Sequence, residues 1–206
     1  MAKSKSSNKW LREHFDDPYV KKSQQEGYRS RAVYKLLEIQ EKDKIIKPNM
    51  VIVDLGAAPG GWMQVTKKLV GKNGCVIGLD LLAIEPIADT AFIQGDFSAD
   101  ETYQALNALL AGRPVDIVMS DIAPNMSGMK GVDQPKAMYL VELALDFAKQ
   151  NLKKDGVFLT KVFHGQGFDA LVADCRKHFL SVKTRKPKAS RDRSPEVYLL
   201  AQGFIV

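Results

Sequence analysis

Along the centre of the chain, apolar runs of strand length alternate with segments of helical character. The runs are "MVIVDL", "CVIGLDL", "AFIQGD", "VDIVMSD" and "GVFLTKVF"; between them lie "GWMQVTKKLVG", "ADETYQALNALLAG" and "QPKAMYLVELALDFAKQNL". No other feature limits the possible folds so strongly. A strand that is apolar on nearly every residue has to be covered on both faces, which predicts an α/β protein with a mostly parallel sheet wound by helices. "GFDALVADCRKHF" reads as one more helix. "LSVKTRK" and "EVYLLAQGFIV" then follow with only a basic loop between them, so they are expected to pair antiparallel at the sheet edge. Ahead of the core, "SRAVYKLLEIQEKDK" predicts an amphipathic helix that turns Val33, Leu36, Leu37 and either Ile39 or Gln40 inward. There is no internal repeat.

At 206 residues and 45% hydrophobic content, the chain suits one domain with a sizeable core. The expected division is a basic extension over 1–27 followed by a single domain over 28–206. The start, "MAKSKSSNKW", has no apolar stretch, and no run reaches the length of a membrane span, so a soluble cytoplasmic protein is expected. Cys75 and Cys175 stand far apart in no metal-binding pattern and read as buried thiols. The net charge of +6 is unevenly spread: residues 1–35 carry +5, residues 36–180 carry −3 and residues 181–206 carry +4. A slightly acidic centre between basic ends suits a phosphate-backbone partner. "VKTRKPKASRDRSPE" sharpens that expectation, because Arg185, Lys186, Lys188, Arg191 and Arg193 fall just before an apolar strand and hence near the fold.

The stretch "DLGAAPGGW" follows the first core strand, at the carboxyl end where doubly wound sheets bind ligands. Small residues there let a ligand approach the backbone. No Gly-Lys-Ser/Thr follows, which excludes a P-loop. Ala58 stands where a dinucleotide fingerprint has its second glycine, which argues against a nicotinamide dehydrogenase. Asp54, Asp80 and Asp96 end three successive strands. Together they would repel a polyphosphate and suit a cationic nucleoside, with Asp80 at the position of a ribose-binding acid. S-adenosylmethionine carries both a sulfonium and an ammonium. Asp54 alone could equally be a loop or helix cap, and Trp62 could be a core residue.

The motifs "DLGAAPGGW", "GLD", "GDF", "SDIAPNMSG", "KVFHGQGFD" and the closing "KASRDRSPEVYLLAQGF" resemble, in order and spacing, those of the FtsJ/RrmJ (RlmE) family of ribosomal RNA large-subunit 2′-O-methyltransferases. The resemblance implies a Rossmann-like methyltransferase domain, with a seven-stranded mostly parallel sheet, the last strand antiparallel and helices on both faces. It implies S-adenosylmethionine as methyl donor, S-adenosylhomocysteine as product, a uridine ribose of 23S rRNA as acceptor, and a monomer without metal. The family's Lys-Asp-Lys-Glu tetrad falls on Lys35, Asp121, Lys161 and Glu196, and its cofactor contacts fall on Gly60, Trp62, Asp80, Asp96 and Asp121.

The chemistry asks for such residues independently. A ribose hydroxyl must lose its proton as the sulfonium loses its methyl group, and a lysine can assist if a second cation and partial desolvation disfavour its charge while carboxylates hold its geometry. Lys161 would be the base, Asp121 its orienter, Lys35 the second cation and Glu196 a tether. Asp121 and Lys161 interrupt or end apolar strands, where a charge is costly unless paired. Lys35 and Glu196, taken singly, would read as solvated charges. Two other functions fit part of the pattern: 2′-O-methylation of a transfer RNA or an mRNA cap, and a non-catalytic RNA-binding assembly factor, the latter leaving the buried charges without a purpose.

Overall fold

The computed structural model describes residues 17–96, 98–124, 128–191 and 194–205. The apolar runs become β1 (Val51–Leu55), β2 (Cys75–Asp80), β3 (Ala91–Gln94), β4 (Val115–Ser120), β5 (Leu152–Phe163), β6 (Phe179–Arg185) and β7 (Glu196–Phe204). They form a single sheet in the order β3-β2-β1-β4-β5-β7-β6. The first five strands pair in parallel, and β7 is antiparallel to both β5 and β6. The last two strands do pair as the sequence predicts, but only β6 forms the edge. β7 slots inside it against β5, so its Val197–Ala201 segment is buried throughout.

The helices are α1 (Pro18–Gln25), α2 (Val33–Asp43), α3 (Gly61–Val70), α4 (Asp100–Leu110), α5 (Lys130–Asn151) and α6 (Phe168–His178). The period-two alternation of strand side chains divides the core into two layers. On β1, Ile52 joins Leu36, Ile39, Met63 and Val65 of α2 and α3. Its neighbour Val53 joins Leu106, Val141 and Leu171 of α4, α5 and α6 on the opposite face. Each such fully buried aliphatic side chain contributes about 1.5–3 kcal/mol of transfer free energy. The double coverage is therefore what holds the parallel sheet together.

On α2 the buried positions are Val33, Tyr34, Leu36 and Ile39, with Leu37 half-buried. Gln40 stays out of the core because its amide is used on the backbone of Ile46, donating to the carbonyl and accepting from the N–H, both at 2.8 Å. The basic extension is, from Asp17 onward, folded. Asp17 caps α1 by accepting from the Tyr19 N–H at 2.9 Å, Val20 is buried, and the Tyr19 ring lies 5.4 Å from that of Tyr34 on α2. Among the described residues, no helix is long and apolar enough to cross a membrane. Cys175 is buried and Cys75 half-buried, both as free thiols.

Candidate active site

The strand order reverses between β1 and β4, since β2 and β3 lie to one side of β1 and the later strands to the other. Crevices at the carboxyl ends of strands around such a switch point are where α/β sheets bind ligands. A cavity of about 370 Å³ opens there, lined by Gly56, Asp80, Gly95, Asp96, Asp121 and Ile122 among others. Its size is that of a small-molecule site. Gly56 is required by the turn: its φ is +77°, and a Cβ would fall 2.2 Å from the Ile122 side chain. Asp80 organises the rim, accepting from the Ala58 N–H and the Leu82 N–H, each at 2.9 Å. Asp96 is exposed and accepts from the Ser98 hydroxyl at 2.7 Å and the Ser98 N–H at 2.8 Å, bonds that hold its carboxyl below the usual range.

The other two expected cofactor residues sit differently. Gly60, at φ +101°, is the N-cap residue just before α3, and the side its Cβ would occupy faces Arg29 and Ile87. Trp62 is 3% exposed; its indole N–H donates to the Ala32 carbonyl at 2.9 Å and its ring packs 5.8 Å from Tyr198. It is a core residue that borders a smaller cavity, lined also by Ser30, Asp54 and Asp121, which shares its Gly56, Ala58 and Asp121 walls with the large one.

The four charged residues of the expected tetrad meet. The antiparallel register sets Lys161 opposite Tyr198 and Phe163 opposite Glu196, so Lys161, Tyr198 and Glu196 project from one face of β5 and β7. Asp121 follows β4 next to β5, and Lys35 reaches over from α2. Lys161 Nζ lies 3.1 Å from the Asp121 carboxylate and 2.6 Å from the Asp121 carbonyl oxygen. Lys35 Nζ lies 2.6 Å from the Glu196 carboxylate. Tyr198 joins the two pairs: its hydroxyl donates to Asp121 at 2.6 Å and its ring lies 5.6 Å from Lys35 Nζ.

Burial works against charge on Asp121, yet Lys161, Lys35 and the Tyr198 hydroxyl outweigh it and hold the carboxyl below its ordinary range. Glu196 is also lowered, burial again being overcome, here chiefly by Lys35. Tyr198 is pushed well above its usual value by burial and by the neighbouring carboxylates. The result is a balanced cluster of two ammonium groups and two carboxylates, charged in spite of its burial.

Beyond the Lys35–Glu196 pair lies a second, open hollow of about 440 Å³ lined by Arg31, Ala32, Lys35, Arg191, Ser194 and Glu196. The cluster thus stands between an acid-rimmed cavity and a basic one. Of the basic residues expected to face a phosphate backbone, Arg185 is instead committed to the fold. It makes a two-pronged contact with Asp43 at 2.6 and 2.7 Å, which lowers the Asp43 carboxyl. Lys186 donates to the carbonyls of Ser194 and Glu196, both at 2.7 Å, and pins the loop before β7. Lys188 is exposed and Arg191 lines the hollow, while Arg193 lies outside the described residues.

The profile of the family described as FtsJ-like methyltransferase matches residues 28–204. The chain belongs to this family. It is 59% identical over 201 residues to the ribosomal RNA large subunit methyltransferase E of Chromohalobacter salexigens, covering 98% of this chain and 96% of that one. To the protein of the same name from Pseudomonas aeruginosa it is 57% identical over 204 residues, 99% of either chain. Among solved structures, a ribosomal RNA methyltransferase from Plasmodium falciparum superposes with a TM-score of 0.76 at 32% identity, covering 86% of this chain and 98% of that one. One site feature escaped the sequence reading, and one reading of another is settled. Tyr198 sits in a run of strand residues that reads as core, and only its register partner Lys161 reveals that the hydroxyl is used. Asp54 caps nothing: among the described residues neither carboxylate oxygen has a hydrogen-bond partner.

Proposed function

We propose that this methyltransferase uses S-adenosylmethionine to methylate the 2′-oxygen of a uridine ribose in the 23S rRNA of the large ribosomal subunit. The observation that carries the reading is the Lys161–Asp121–Tyr198 and Lys35–Glu196 network, held between the acid-rimmed cavity and the basic hollow. The names of the close relatives support the ribosomal RNA substrate. S-adenosylmethionine, when bound, supplies an electrophilic methyl group on a sulfonium. The residues present fit such a molecule: Asp80 for the ribose, Asp96 for the adenine, and Asp121 with the backbone near Gly60 for the methionine end, Trp62 supporting that floor from below. The domain over 28–206 performs the transfer, and the basic extension over 1–27 contributes to holding RNA.

The target ribose enters from the basic hollow, its phosphates drawn by Arg191. Lys35, fixed by Glu196, stands beside the hydroxyl and stabilises the oxyanion that develops as the methyl group moves. Lys161 takes the proton. Its Nζ is aimed by Asp121, lying 2.6 Å from the carbonyl oxygen and 3.1 Å from the carboxylate. It serves as base in its amine form, whose lone pair would face the acceptor hydroxyl. Incubating the protein with labelled cofactor and either ribosomal subunits, transfer RNA or capped mRNA, then mapping the label, tests the reading. Label on a 2′-oxygen of a large-subunit uridine is expected; label confined to transfer RNA or cap would refute it.

A further inference from the structure

Charged side chains on α2 and just ahead of it engage one stretch of chain, residues 185–196. Arg31 donates to the Ala189 carbonyl, Lys35 pairs with Glu196 at 2.6 Å, and Asp43, at the end of the helix, holds Arg185. Glu38 lies three residues beyond Lys35 and so next to it on the helix surface. Lys35 serves the acceptor site, and Asp43 and Arg185 neutralise each other. Glu38 is the member that the mechanism leaves unused.

Its half-buried carboxylate is spent on backbone. One oxygen accepts from the Lys188 N–H at 2.6 Å and the other from the Ala189 N–H at 2.9 Å. Successive N–H groups turned the same way form a cradle for an anion, and here the anion is a side chain 150 residues away in sequence. With Arg31 on its carbonyl, Ala189 has both backbone polar groups bound from the α2 side, and the residue is fully buried. Lys186 ties the loop to its own far end through the carbonyls of Ser194 and Glu196. Glu38 fixes the middle. The two cations that this arrangement carries are Lys188, whose side chain is exposed, and Arg191, which lines the basic hollow.

We propose that Glu38 is a positioning residue for the RNA substrate: seated on the N–H groups of Lys188 and Ala189, it holds the loop in the shape that presents Lys188 and Arg191 to the phosphate backbone. The proposal rests on the RNA-methylating reading given above, and Glu38 itself touches neither RNA nor the reacting atoms. Charge and position predict opposite signs. By charge alone, an acid beside a phosphate-binding loop weakens the attraction, and its removal would tighten binding. By position, its removal leaves two long side chains to be ordered as RNA binds, which lowers affinity.

Filter binding of 23S rRNA over a salt series reads that sign, with calorimetric titration of S-adenosylhomocysteine as the check on folding. Glu38→Ala is expected to bind the RNA about tenfold more weakly, with the slope against salt lowered by about one to two, and to bind S-adenosylhomocysteine as the wild type does. Glu38→Asp keeps the charge but, one methylene shorter, cannot span both N–H groups, so it is expected to weaken RNA binding in the same direction. In an Arg191→Gln background the effect of Glu38→Ala should shrink, because part of it runs through that side chain. Tighter or unchanged RNA binding by Glu38→Ala, wild-type binding by Glu38→Asp, or an equal loss of S-adenosylhomocysteine and RNA would overturn the proposal and leave the RNA reading standing. Failure of the wild-type protein to bind 23S rRNA would overturn both.

Discussion

Replacing Tyr198 by phenylalanine removes one oxygen from the middle of the charged cluster and changes little else. The side chain is fully buried, and its ring keeps its packing against Trp62. The hydroxyl donates to Asp121 over 2.6 Å, a bond to a charged acceptor, and such bonds contribute about 1.5–3 kcal/mol. Asp121 keeps the Lys161 ammonium at 3.1 Å, so the loss belongs in the lower half of that range, about 1.5–2 kcal/mol. With a urea slope of about 2.5 kcal/mol per molar, the unfolding midpoint should fall by about 0.6–0.8 M.

The pH dependence has a definite sign. Asp121 has a folded-state value below its unfolded one, so its stabilisation is present above the ordinary carboxylate range and disappears as pH falls through the depressed value. The gap between wild type and Tyr198→Phe should therefore be full at pH 7 and close on strong acidification. Urea unfolding followed by tryptophan fluorescence over a pH series measures it. Equal midpoints at pH 7, or a gap that widens toward acid, would refute the placement of a charged Asp121 beneath this hydroxyl.

Two further outcomes test the cavities on either side of the cluster. Asp80→Ala releases the Ala58 and Leu82 amides and removes the proposed ribose contact, so cofactor affinity should fall by about 1.5–3 kcal/mol in calorimetry; unchanged affinity in a folded variant would put the ribose elsewhere. Arg191→Gln should lower the slope of RNA affinity against salt by about one, in filter binding over a salt series, and leave cofactor affinity alone; an unaltered slope would return Arg191 to an ordinary solvated loop.

The strands could be read from the sequence because burial on both faces forces apolar residues at successive positions, and Ile52 and Val53 fulfil this on opposite layers. The order of the last two strands could not. The short basic loop between them indicates that "LSVKTRK" and "EVYLLAQGF" pair, but which of them neighbours β5 depends on a contact between distant segments. Asp121 and Lys161 stood out as charges in apolar surroundings. Lys35 and Glu196 did not, for each is polar on an otherwise ordinary helix or strand, and only the family resemblance singled them out before the packing of α2 against the sheet brought them within 2.6 Å. Arg185 shows the converse error. Charge density in its segment suggested a nucleic-acid surface, whereas the side chain is spent on Asp43, a partner from α2 that no local pattern indicates.

The central claim is that Lys161 takes the proton of the acceptor hydroxyl, and single-turnover methylation of large-subunit RNA by Lys161 variants tests it most directly. Lys161→Ala should bind cofactor and RNA and transfer the methyl group about 10²–10⁴-fold more slowly than wild type. Lys161→Arg keeps the charge but cannot be deprotonated in a protein, so it should be impaired to a similar degree. Transfer by Lys161→Arg within a few fold of wild type would contradict the account, because the role of Lys161 would then be electrostatic and the proton would leave by another route.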